Sequence, residues 1–222
     1  GPVVERLFSK LERVTLTQGE VVQEPESLIE YVYFPETAVF SMLAMMQNGD
    51  TVEVGPVGDE GLVGLRVFLG ADTARYQALV HVAGTAMRTR SDALREALSA
   101  EESALPRLLT RYTQMLLAMT GQSSACNKLH RLDEQLARWL LMMDDYVGDE
   151  LLLTHELISL TLGVRRAGIS DAANEMRDAG LIAYQRGRIR ILDRTGLEQR
   201  ACECYRAIKE EYDHLYADLP QL

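Results

Sequence analysis

Between residues 105 and 129, Leu105, Leu108, Tyr112, Met115, Met119, Gln122, Cys126 and Leu129 follow one another in alternating steps of three and four. Only an α-helix brings such positions onto one side, and a repeat averaging 3.5 residues is what a helix shows to a similar helix in a coiled coil. The spacing predicts a helix over 103–130 and a parallel homodimer joined along these residues as its seam. A second apolar row, Leu109, Leu116 and Leu117, predicts that the helix also packs on its own chain.

The pattern on either side of this helix differs. Before it, short apolar runs at 14–16, 20–22, 31–34, 39–45, 51–57 and 79–90 are separated by turn signals and read as strands. Asn48-Gly49 between two such runs marks a hairpin, because both residues tolerate positive φ. A short helix over 92–98 follows. After the long helix, 133–146 carries Leu136, Trp139, Leu140 and Met143 on one side. Thr154 then caps a helix that stops at Gly163. The segment 164–178 reads as the next helix, with Ile169, Ala172, Ala173 and Met176 inward and Arg165, Arg166, Ser170 and Asp171 outward. Two short helices about a tight glycine turn form a helix-turn-helix pattern, and two strands at 180–184 and 188–192 add a wing. The fold class is α+β, in four parts. The strands of 1–102 suggest a small barrel or sandwich, 103–132 is the dimerisation helix with the link after it, 133–196 the winged helix-turn-helix, and 197–222 a C-terminal amphipathic helix.

The net charge of −10 over 222 residues argues at first against a nucleic-acid partner. Resolved by segment it does not. Residues 1–150 carry −9, 151–196 carry +2 and 197–222 carry −3. Within 161–190 lie Arg165, Arg166, Arg177, Arg186, Arg188 and Arg190 against three acids, a basic patch hidden in an acidic total. No apolar run approaches the roughly 20 residues of a membrane-spanning helix, and no export signal opens the chain. The three cysteines, an odd and sparse set, suit a reducing compartment, so the expected location is cytoplasmic and no membrane partner is expected.

A strand-rich roll, a long helix and a winged helix-turn-helix in this order resemble the Crp/Fnr family of bacterial transcription regulators over almost the whole chain. Three stretches carry the resemblance: 52–64 (VEVGPVGDEGLVG) is similar to the roll before the family's ligand cassette, 135–141 (QLARWLL) to the helix after the hinge, and 162–170 (LGVRRAGIS) to the recognition-helix start. The tail 201–212 (ACECYRAIKEEY) resembles the extra C-terminal helix of one subgroup. The resemblance implies that 1–102 is a sensory β-roll, a jelly roll like a cyclic-nucleotide-binding domain, that 103–132 includes a hinge, and that the chain is a homodimer with double-stranded DNA as ligand and RNA polymerase as a further partner. It also implies that the third residue past the turn glycine, Arg166, reads a base. Arg165, Ser170 and Asp171, Thr154 at the start of the first helix, and Arg186 and Arg188 on the wing complete the expected DNA contacts. Ala167 and Asp171 depart from the usual glutamate and arginine, which alters the expected half-site.

The same comparison argues against the family's known effectors. Members that bind cyclic nucleotides place a glutamate after the cassette glycine and an arginine with a hydroxyl neighbour further on; here Gly61 precedes Leu62, and Arg75 has no such neighbour after it. An apolar side chain cannot accept from a ribose hydroxyl, so no cyclic nucleotide is expected. Iron-sulfur members carry N-terminal cysteines, which this chain lacks before residue 126, and His81 is a single candidate for a haem ligand in the roll. The effector stays unidentified and no cofactor is expected. Cys126 and His130 share one helix face at i and i+4 but are two ligands only, and Cys202 and Cys204, two apart on a continuous helix, would project about 200° from each other. No metal site is expected. A cupin-like enzyme would need several histidines on adjoining strands, and neither a phosphate loop nor a Ser-His-Asp pattern appears, so no catalysis is expected. The alternative is a protein-interaction module using the acidic roll and tail; a gel shift with selected DNA separates the two.

Overall fold

The computed structural model describes residues 2–100, 104–148, 150–185 and 187–217, without the side chains of residues 2–5 and 216. The chain divides into two compact units, Gly1–Met45 with Gly55–Leu117, and Met46–Val54 with Ala118–Leu222.

The elements of the first half are α1 (Pro2–Ser9), β1 (Glu12–Leu16), β2 (Val21–Gln23), β3 (Tyr31–Pro35), β4 (Val39–Met45), β5 (Thr51–Val57), β6 (Gln77–Val82), β7 (Gly84–Arg90), α2 (Ser91–Leu98) and the long α3 (Leu105–Leu129). Two sheets build the roll, one in the order β1-β7-β3 and one in the order β2-β6-β4-β5. Their inner faces meet on Leu16, Tyr33, Phe40, Val57, Val63, Ala78, Val80 and Ala86. Each large apolar side chain removed from water in this way contributes about 1.5–3 kcal/mol. The Asn48-Gly49 hairpin forms as expected. Gly49 takes φ of +90°, and the Met46 N–H donates to the Asp50 carbonyl at 2.8 Å.

The run expected as one strand over 79–90 is two. It breaks at Gly84, where a Cβ would lie 2.5 Å from the Ala38 nitrogen, so only glycine lets the chain leave the β6 sheet and enter the β7 sheet. The opening helix α1 carries no signal that the strand reading picked up.

In the second unit the last turns of α3 are followed by α4 (Leu132–Val147), β8 (Leu151–Leu152), α5 (His155–Leu162), α6 (Arg166–Asp178), β9 (Ile182–Gln185), β10 (Arg188–Ile191), α7 (Arg194–Arg200) and α8 (Cys204–Tyr216). A sheet in the order β8-β10-β9 pairs Ile189 with Leu151 on one side and Tyr184 on the other. Leu136, Trp139, Leu140 and Met143 of α4 are buried, as their spacing predicts, and so are Ile169, Ala172, Ala173 and Met176 of α6. At Gly168 a Cβ would stand 2.9 Å from Leu132 Cδ2, so this glycine sets how closely α4 and α6 approach.

Two expectations are corrected here. The seam on α3 is not an open face: Tyr112, Met115, Met119 and Cys126 are buried within the chain, Leu105 and Gln122 are half-buried, and only Leu108 and Leu129 are exposed. Leu117, expected to pack inward with Leu109 and Leu116, is 70% exposed, while Leu109 is buried. A 3.5-residue repeat marks one apolar face but does not say which neighbour covers it. The second correction concerns the tail. It is two helices, not one, because Ala201 turns to an extended backbone at ψ 149° between α7 and α8.

Candidate nucleic-acid interface

The helix-turn-helix is built by two caps. The Thr154 hydroxyl accepts from the Leu157 N–H at 3.2 Å and starts α5. Gly163, at φ +65°, ends it in the left-handed region, and its N–H donates to the Ser159 carbonyl. Val164 and Arg165 form the turn, so α6 begins at Arg166, two residues later than its apolar pattern alone predicts. Arg165 sits extended at the cap position and Arg166 is the first helical residue.

Both arginines are exposed, and among the described residues neither forms an ion pair. Asp171 and Thr154 are exposed as well. Ser170 is not turned outward. It is half-buried, its hydroxyl donates to the Arg166 carbonyl at 3.1 Å, and it shares a hydrogen bond of 2.9 Å with His155 Nδ1. At i+4 from Arg166 its side chain points back along the helix toward α5, which the outward reading overlooked.

On the wing, Arg188 is exposed and pairs with Glu150 at 2.6 Å. Arg190 is exposed on the same strand and lines an open depression with Glu150, Ala183, Gln185 and Arg188. Arg186 lies outside the described residues. Arg177 is matched by its neighbour Asp178 at 2.9 Å. The basic patch read from the sequence is therefore not uniform: Arg165, Arg166 and Arg190 present unmatched charge among the described residues, whereas Arg177 and Arg188 are already partnered.

Sequence reasoning passed over His155. Its ring stacks on Tyr184 of β9 at 4.1 Å between centroids, so one buried side chain ties α5 to α6 through Ser170 and to the wing through Tyr184. Burial, aided by the nearby Arg166 charge, lowers its pKa and holds it neutral. A histidine directly after a helix cap was the only signal available.

Residues 134–200 match the model of the Crp-like helix-turn-helix domain. The chain carries a Crp-like helix-turn-helix domain on a Crp/Fnr fold. Solved structures of the same fold include FixK2 from Bradyrhizobium japonicum, 17% identical, covering 86% of this chain and 98% of that one at a TM-score of 0.74. A CRP-family transcriptional regulator from Thermus thermophilus is 19% identical over 86% of this chain and 96% of its own, at 0.70. The c-di-GMP responsive global regulator CLP of Xanthomonas campestris is 15% identical over 86% and 98%, at 0.65. No curated protein matches the chain.

Ahead of the Crp-like domain, the surroundings of Gly61 and Leu62 are filled by protein. A Cβ on Gly61 would fall 2.3 Å from the ring of Tyr112, and Leu62 is 3% exposed. Arg75 lies at the surface with Glu26 at 3.4 Å. His81 is fully buried and shares a hydrogen bond with Ser41 at 2.9 Å.

Behind the domain, all three cysteines of the chain meet. Cys126 Sγ stands 3.4 Å from Cys202 Sγ, and Cys204 Sγ stands 3.6 Å from His130 Nδ1. The ligand atoms of these four residues all lie within 4.8 Å of one another. The Cys202 contact holds the Cys126 thiol below its ordinary pKa, the same contact and then burial push Cys202 up, and burial raises Cys204. The angular argument against Cys202 and Cys204 as ligands assumed one continuous helix. The break at Ala201 removes that assumption, leaving Cys202 before α8 and Cys204 at its first residue.

Proposed function

We propose that this chain is a sequence-specific DNA-binding transcription regulator that acts as a homodimer and catalyses no reaction. The observation that carries the reading is the pair of exposed guanidiniums, Arg165 and Arg166, without ion-pair partners among the described residues, at the start of the second helix of a Crp-like helix-turn-helix. A recognition helix enters the major groove with its N-terminal residues at the base edges, and an arginine there can bond bidentately to guanine. The α6 start thus offers base contacts, and the wing offers to phosphates Arg190 directly and Arg188 once a phosphate replaces Glu150 as its partner.

The dimer forms along α3, through the side opposite its buried residues, where Leu117 is exposed and Gly121 has no neighbouring side chain within 4 Å of where a Cβ would be. Twofold symmetry then imposes a near-palindromic operator with half-sites about one helical turn apart. RNA polymerase is the further partner of a regulator of this kind. The roll does not take a cyclic nucleotide: the position that would accept from the ribose is the buried Leu62, and Arg75 is engaged with Glu26. Titration calorimetry with cyclic AMP and cyclic GMP should register no binding.

Replacing the two kinds of arginine should separate their roles. Arg166→Ala should relax base preference at one position of each half-site, at about 1–3 kcal/mol. Arg188→Ala should weaken binding to all sequences alike and flatten the salt dependence by about one unit of slope. Fluorescence anisotropy on a panel of operator variants at several salt concentrations reads both, and identical behaviour of the two variants contradicts the assignment.

A further inference from the structure

We propose that Cys126, His130, Cys202 and Cys204 bind one zinc ion as a tetrahedral Cys3His site. With Zn–S near 2.3 Å and Zn–N near 2.0–2.1 Å, a tetrahedron places neighbouring ligand atoms about 3.5–3.8 Å apart. The Cys126–Cys202 and Cys204–His130 separations of 3.4 and 3.6 Å lie within a few tenths of an ångström of that spacing, and no pair among the four exceeds 4.8 Å. A cluster of several irons would hold its ligands farther apart than a single ion does. A Cys126–Cys202 disulfide would explain two of the four residues and leave Cys204 and His130 without a reason to converge.

The surroundings fit a metal and not four packed side chains. His130 turns Nδ1 toward Cys204 and sets Nε2 3.2 Å from a Glu203 carboxylate oxygen. This is the carboxylate–histidine–metal arrangement, in which the outer nitrogen carries the proton and the inner one keeps its lone pair for the ion. Gln122 Nε2 donates to Cys204 Sγ at 3.0 Å and fixes the position of that sulfur. Gln135 Nε2 donates to the His130 carbonyl at 2.9 Å and holds that turn of the chain.

The charge balance agrees. Zinc with three thiolates and a neutral histidine carries one net negative charge, and binding sends the three thiol protons to solvent. Arg138 is 4% exposed, lies within electrostatic reach of Cys126, and has no carboxylate partner among the described residues. A buried guanidinium without a counter-charge is expensive to maintain, and the anionic site supplies one.

The topology assigns the ion a task. Two ligands come from the end of α3 and two from the junction of α7 and α8, so α4 to α7, with the whole helix-turn-helix and wing, lie between the two halves of the site in the chain. One ion closes that span and fixes the tail to the last turn of the long helix, next to the hinge at 129–133.

The test uses the full chain, reconstituted with zinc sulfate under reductant, desalted, and measured for metal by mass spectrometry. Cobalt(II) replaces zinc in a parallel sample as an optical probe. One zinc per chain is expected, with cobalt giving a thiolate-to-metal charge-transfer band and the intense visible bands of tetrahedral coordination. Cys204→Ser should abolish stoichiometric binding, and Cys204→His should retain it, with far-ultraviolet circular dichroism reporting whether each variant folds. Less than a tenth of an equivalent of zinc in wild type, three thiols that react freely at the same rate with and without zinc, or the absorption of an iron–sulfur cluster would each overturn the proposal. None of these readouts depends on DNA, so the zinc site and the regulatory reading fail separately.

Discussion

His81 shows how a single residue sets a property of the roll. It is fully buried beside Ser41, and burial lowers its pKa from 6.5 to about 4. The unfolded chain therefore binds more protons than the folded one between those two values, and stability falls as the pH drops through that window. The full effect is about 3 kcal/mol, at 1.36 kcal/mol per pKa unit. Urea unfolding of the roll at pH 7 and pH 5 should show the loss, and His81→Gln should reduce the slope. An unchanged slope in the variant would place the acid sensitivity elsewhere. At this scale the sequence was only partly legible. Ile169 and Met176 announced their burial through spacing, but Ser170 was misjudged because its rotamer, bonded to the Arg166 carbonyl, is not written in the apolar pattern. Arg177 and Arg188 counted as free charge until their carboxylate neighbours were placed.

Elements were read more reliably than residues, because caps and glycines have local causes. The span of β4 and β5, the stop of α5 at Gly163 and the face of α6 all follow from signals within a few residues. Where two distant segments decide the outcome, the reading erred: the strand at 79–90 divides because Gly84 meets the backbone of residues 37 and 38, and the tail breaks at Ala201 where its cysteines meet Cys126. The turn between α5 and α6 gives a test at this level. Gly163→Ala forces a Cβ into the left-handed region and to within 3.0 Å of Val52 Cγ2, so it should destabilise the helix-turn-helix by about 1–2 kcal/mol. A thermal transition unchanged in the variant would mean that the turn tolerates another geometry.

Along the whole sequence, the excess of acidic charge falls outside the segment that would read DNA. Residues 1–150 hold −9 and the tail holds −3, so non-specific affinity for a polyanion should be weak and specific affinity should rest on few arginines. The order of roll, long helix and winged helix-turn-helix was legible from pattern changes alone. The identity of the surface that covers α3 was not, since Tyr112, Met115, Met119 and Cys126 obey the same repeat whether a second copy or the chain itself buries them. Selection of bound sequences from a random duplex library by the purified protein, at moderate salt, tests the regulator reading most directly. Enrichment of one near-palindromic motif with half-sites about one helical turn apart is the predicted result. Recovery of unselected sequence, or of no DNA at all, would contradict it.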